Sequence, residues 1–96
     1  MNAVKKLTIS RIIWDEWNVA HIAKHQVIPN EVEEVLHSKF IIEPTYRERL
    51  SIIGPTKLNR MLTIVVHEDQ KDVYYVITAR DAEEKELQAY YEERGE

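Results

Sequence analysis

An amide, two imidazoles and an ammonium fall within eight residues of this chain: Asn18, His21, Lys24 and His25. Imidazole changes protonation near neutral pH, and an ammonium is a compact positive charge. Such a set could transfer a proton beside an anion. A second polar cluster, Thr78-Ala79-Arg80-Asp81-Ala82, lies far along the chain. Arg80 brings a planar fork of donors that can grip a carboxylate or phosphate through two parallel hydrogen bonds. The two clusters read as one site assembled from both ends of the chain.

Other chemistries have weaker support. His21 and His25 have the spacing of a helical metal-ligand pair. However, Ile22 stands where an H-E-x-x-H motif needs glutamate, and no third ligand is evident. No metal or other cofactor is expected. The chain has no cysteine, which excludes disulfides, thiolate metal sites and cysteine nucleophiles. Its two glycines, Gly54 and Gly95, make no phosphate loop, and Gly54-Pro55-Thr56 reads as a turn.

The elements that must position these groups follow from periodicity. Residues 7–14 alternate loosely and read as a strand, after a start (1–6) expected to fray. Asp15 is the expected N-cap of a helix running to about His25, with Asn18 at its third position. Its apolar side is read as Val19, Ile22 and Ala23, with Asn18, His21 and His25 alongside. Pro29 suits the first turn of a second helix, whose stripe is Val32, Val35 and Leu36. Four segments rich in Ile, Val, Tyr and Thr follow: Phe40–Glu43, Arg49–Ile53, Arg60–His67 and Val73–Ala79. Their short connections predict an antiparallel meander. Both sides of the 60–67 segment are partly apolar, so it is read as central, with Leu62, Ile64 and Val66 opposite Met61, Thr63, Val65 and His67. Asp81 is expected to open the last helix, with Glu84 completing a capping box. Leu87, Tyr90 and Tyr91 would pack that helix back. The fold class is α+β, in the order β-α-α-β-β-β-β-α.

With 96 residues, 44% hydrophobic and 31% charged, the chain suits one soluble domain spanning 1–96. No apolar run approaches the ~18 residues that cross a bilayer. No signal peptide is read, and a cytoplasmic location is expected. The net charge of −4 is unevenly spread. The acidity gathers in the segment from Asp81 to Glu96, while Lys39 to Arg60 is locally basic. A nucleic-acid partner is therefore not favoured by total charge, but a local basic face remains open.

Several separated stretches resemble the BrnT family. They are WDEWNVAHIAKHQV, PNEVEEVL, RLSIIGPT, RMLTIVV and VYYVITARDA, with the spacing from Glu86 to Tyr90. They occur in the family's order over about residues 9–91. The resemblance implies a RelE-like fold with helices packed on an antiparallel sheet. It also implies a type II toxin–antitoxin ribonuclease that inhibits translation, paired with a BrnA-type DNA-binding antitoxin in a complex that represses its own promoter. The chain departs from the pattern at three places. Gln26 replaces a glycine after the first helix, where a left-handed residue other than glycine costs about 1 kcal/mol. Ile28 replaces a capping Thr or Ser. An arginine-rich stretch becomes Glu83-Glu84-Lys85-Glu86-Leu87-Gln88, which points to a different substrate or to lost activity.

Metal-independent RNA cleavage needs a base, an acid and a cation for the extra phosphate charge. Arg80 is assigned to phosphate, and His25 and Lys24 to the catalytic centre. Arg49, Arg60, Asn18 and His21 are assigned to substrate binding, with Glu86 and Tyr90 supporting. Arg80 has a second reading as a structural partner of Glu86 or Asp81, and His25 as a helix-end residue. The tyrosines and tryptophans could stack on bases or fill the core. Two other functions remain open: a non-catalytic protein-binding module, and a decayed toxin that still binds its antitoxin. Either state could be a homodimer or a toxin–antitoxin hetero-oligomer.

Overall fold

The computed structural model describes residues 7–95. The expected fraying of residues 1–6 lies outside them. The element order is β1 (Arg11–Ile13), α1 (Glu16–Ala23), α2 (Pro29–Leu36), β2 (Ile41–Thr45), β3 (Arg49–Pro55), β4 (Met61–Gln70), β5 (Val73–Asp81) and α3 (Glu84–Arg94). This is the predicted α+β order. Strands β2 to β5 form the antiparallel meander, and β1 adds to it in parallel beside β5. The sheet order β1-β5-β4-β3-β2 puts β4 at the centre.

Strand alternation gives the sheet two unlike faces. On one face Ile52, Leu62, Ile64, Val66, Val76 and Ala79 pack against Ile22 of α1 and Val32 and Val35 of α2. Gly54 belongs to this side, and a Cβ there would stand 2.9 Å from the Phe40 Cβ. On the other face Ile41 and Ile53 pack with Tyr90 of α3. Tyr91 stays 43% exposed, edge-on to Tyr90.

Several boundaries move for local reasons. The Asp15 side chain accepts from the Asn18 amide, and the Asn18 side chain accepts from the Asp15 amide, so the expected cap is complete. The inward side of α1, however, is Asn18 and Ile22, whereas Val19 and Ala23 face water. The last helix starts at Glu84 with Glu83 as its cap. Asp81 is instead the final residue of β5, paired with Leu62. Tight turns at 46–48 and 71–72 are closed by Arg47, Glu48 and Asp72, all at positive φ. The turn after Gly54 falls later, at 56–60, with Asn59 at φ 67.

Candidate functional site

The first predicted cluster divides. Asn18 is fully buried, and its amide donates to the Ile13 carbonyl at 2.9 Å and the Val76 carbonyl at 3.2 Å. It ties α1 to β1 and β5; both amide donors are used and burial keeps the residue from a substrate. Lys24 and His25 are exposed. His21 is half-buried and stacks on Trp17, ring centroids 4.8 Å apart and planes within 9°. The His25 ring meets His21 edge-on at 6.0 Å.

The second cluster is bound tightly. Arg80 donates through both terminal nitrogens to the two Glu86 oxygens, each at 2.9 Å. Glu86 also accepts from the Thr63 hydroxyl at 2.7 Å and the Glu83 amide at 2.8 Å. Burial pushes the Glu86 carboxyl up. The hydrogen bonds from Arg80, Glu83 and Thr63, with the Arg80 charge, overcome that and hold it at about 2. Arg80 thus fastens α3 to the central strands. Tyr90 does not join the pair; its hydroxyl donates to the Lys39 carbonyl at 2.9 Å.

The two clusters lie on opposite faces of the sheet. Arg80 is in register with Thr63, and Thr63 with Ile53, on the α3 side. His25 follows α1, whose Ile22 packs on the other side. The joint site expected from both ends of the chain is not assembled. Arg60 is also committed. It donates to the Gln26 carbonyl at 2.7 Å, the His25 carbonyl at 3.2 Å, Glu31 at 3.1 Å and Asp81 at 2.8 Å. It therefore ties the end of α1, the start of α2 and the end of β5 together.

Helix α3 covers only one end of its face. Beyond it, Arg49 pairs in register with His67, and His67 with Tyr75. Directly paired residues share a face, with strands about 4.8 Å apart. A guanidinium, an imidazole and a phenol therefore stand in one row, with Glu43 opposite Ser51 in the next. His67 is exposed, and Arg49 and Tyr75 are half-buried. The Tyr75 hydroxyl donates to the Asp15 carboxylate at 3.0 Å. Burial and that bond raise the phenol, so it stays protonated. Chemically, the row offers a cation and a proton-transfer group to one anion, while the Tyr75 hydroxyl is held by Asp15.

Neither a family model nor a curated protein matches the sequence. Among solved structures, the fold is similar to the 1.1 Å crystal structure of the Brucella abortus ribonuclease toxin BrnT. The TM-score is 0.63 and the identity 28%, over 80% of this chain and all of the other. The chain is BrnT-like.

The places where this BrnT-like chain departs from the family pattern now have geometry. Gln26 adopts the left-handed backbone that glycine would favour, at φ 57, and Arg60 grips its carbonyl. Ile28 gives α2 no side-chain cap, but Glu31 reaches back to the Ile28 amide at 3.2 Å. Of the residues chosen from sequence, Arg49 alone stands in the open row. His67 and Tyr75 were missed. The signal available for His67 was parity with Thr63 on β4, once β3 and β4 are read as a hairpin.

Proposed function

We propose that this chain is a metal-independent endoribonuclease of toxin type, cleaving RNA on the open end of the α3 face. Likeness to the whole of the Brucella BrnT chain carries the reading. The Arg49–His67–Tyr75 row supports it with the required chemistry. Arg49 holds the phosphate and takes up charge as it develops. One of His67 and Glu43 removes the 2′-hydroxyl proton, and the other returns a proton to the leaving 5′-oxygen. The 2′-oxygen bonds to phosphorus as the bond to the 5′-oxygen breaks, leaving a cyclic phosphate and a free 5′-hydroxyl. Arg80 and Glu86 hold α3 so that this end of the sheet stays open.

The same reading brings a BrnA-type antitoxin as partner, translation arrest as outcome and the cytoplasm as location. No helix among the described residues is long and apolar enough to cross a membrane. The second reading is a binding module without catalysis, favoured by the acidic α3 bordering the row and by the commitment of Arg80 to Glu86. The test is cleavage of a mixed-sequence RNA by the free protein with chelator present. Wild type should cut. His67→Ala and Arg49→Ala should lose roughly 100-fold or more while keeping their circular dichroism. A folded wild type that leaves RNA intact would move the conclusion to the binding module.

A further inference from the structure

Trp17 is 57% exposed on the first turns of α1, an unusual place for a residue whose burial contributes so much to a core. Its ring is not loose. Four residues on, His21 lies parallel to it at 4.8 Å, within 9°. Four further on, His25 braces His21 edge-on. One indole face is thereby occupied, and the exposed area belongs to the opposite face and the edges. Around it on the same side of the helix are Ala20 and Lys24, both exposed. A flat ring held rigid with one face open suits the face of a planar base.

The position relative to the open row matters too. Tyr75, at one end of the row, bonds to Asp15, and Asp15 is the N-cap of the helix that presents Trp17. Asp15 therefore links the row, on the α3 face, to the start of a helix that packs on the other face. The other end of that sheet face is bordered by α3, with Glu83, Glu84, Glu86, Glu92 and Glu93 against Lys85 and Arg94. A phosphate chain is repelled there, as it is by Asp15 and Glu16 at the start of α1.

We propose that Trp17, braced by His21, is a stacking platform for one unpaired base of a bound RNA, a role that rests on the RNA-cleaving reading. The substrate it selects is single-stranded, because a paired base cannot turn its face to the indole. The test is binding of a fluorescent, uncleavable 2′-O-methyl RNA oligonucleotide to wild type, Trp17→Ala and Trp17→Phe. A scan of single abasic positions along the same oligonucleotide is run on wild type and Trp17→Ala. Trp17→Ala should weaken binding roughly tenfold, and Trp17→Phe should keep most of the affinity. One abasic position should weaken wild type by a similar factor and leave Trp17→Ala unaffected. Equal affinity of wild type and Trp17→Ala, or a loss that no abasic position reproduces, overturns the proposal. If wild type cleaves RNA in either of those cases, the ribonuclease reading stands without it. If wild type neither binds nor cleaves, both fall.

Discussion

The two faces of the sheet are built to different rules. Under α1 and α2, seven sheet residues from β3, β4 and β5 are sealed in one core with helix side chains. Under α3, the seal stops at Ile41, Ile53, Met61 and Tyr90, and the rest of the face carries Glu43, Ser51, Arg49, His67 and Tyr75 in view of solvent. One face holds the fold together; the other is left free to meet something. The lesson is that a chain of this size can keep a polar sheet surface because its core is concentrated on one side.

The strongest way to break the comparison is a pair of neighbours. Ile64→Ala, on the sealed face, should cost about 3–4 kcal/mol by leaving a cavity. Val65→Ala, one residue on and half-buried on the open face, should cost less than about 1 kcal/mol. Urea unfolding measures both, and equal losses would show that the faces do not differ as described.

The next effect concerns how α3 is held. Glu86 has its carboxyl lowered from 4.5 to about 2. A lowered carboxyl adds stability that is full above its unfolded value and is lost as pH falls through the folded one. Stability should therefore drop between pH 4.5 and about 2. Glu86→Gln should flatten that part of the profile and cost about 2 kcal/mol near neutrality, since Arg80 keeps a half-buried charge without its partner. Parallel acid profiles for the two proteins would remove Glu86 from this role.

The smallest effect lies away from both faces. Gln26→Gly should raise stability by about 1 kcal/mol, because glycine occupies the left-handed backbone without a Cβ penalty. A thermal melt checks the sign; a fall in midpoint would mean that the Gln26 side chain contributes more than its backbone costs.

Much of this architecture was legible in the sequence. The Asp15 cap, the α2 stripe and the central place of β4 follow from local patterns. Gln26 was marked as strained because a glycine is the natural occupant there. What was hidden depended on tertiary partners. Asn18 looked like a polar group beside the site, but only the fold brings the Ile13 and Val76 carbonyls to it. The Arg80–Glu86 pair stood as one of two readings, and only the packing of α3 decides its geometry. The open row was hidden by a bulge. Val65 pairs with Thr78, but Val66 pairs with Val76, so Ile77 is extra. A one-residue shift exchanges the two faces of a strand. Without it, unbroken register would set Val76 beside His67; with it, Val76 is in the core and Tyr75 takes the open position.

The Arg60 hub also says where this chain can change length. The 56–60 turn carries Arg60 to four acceptors, and its Lys57 amide donates to Glu34 of α2. The 71–72 turn is tied to Ser10 through the Asp72 carbonyl. Among the described residues, the 46–48 turn is closed only upon itself, by the Arg49 amide and Tyr46 carbonyl. Extra residues there would disturb no other element. That hairpin tip adjoins the row beginning at Arg49, so it is where insertions could reshape what the open face admits while leaving the sealed one intact.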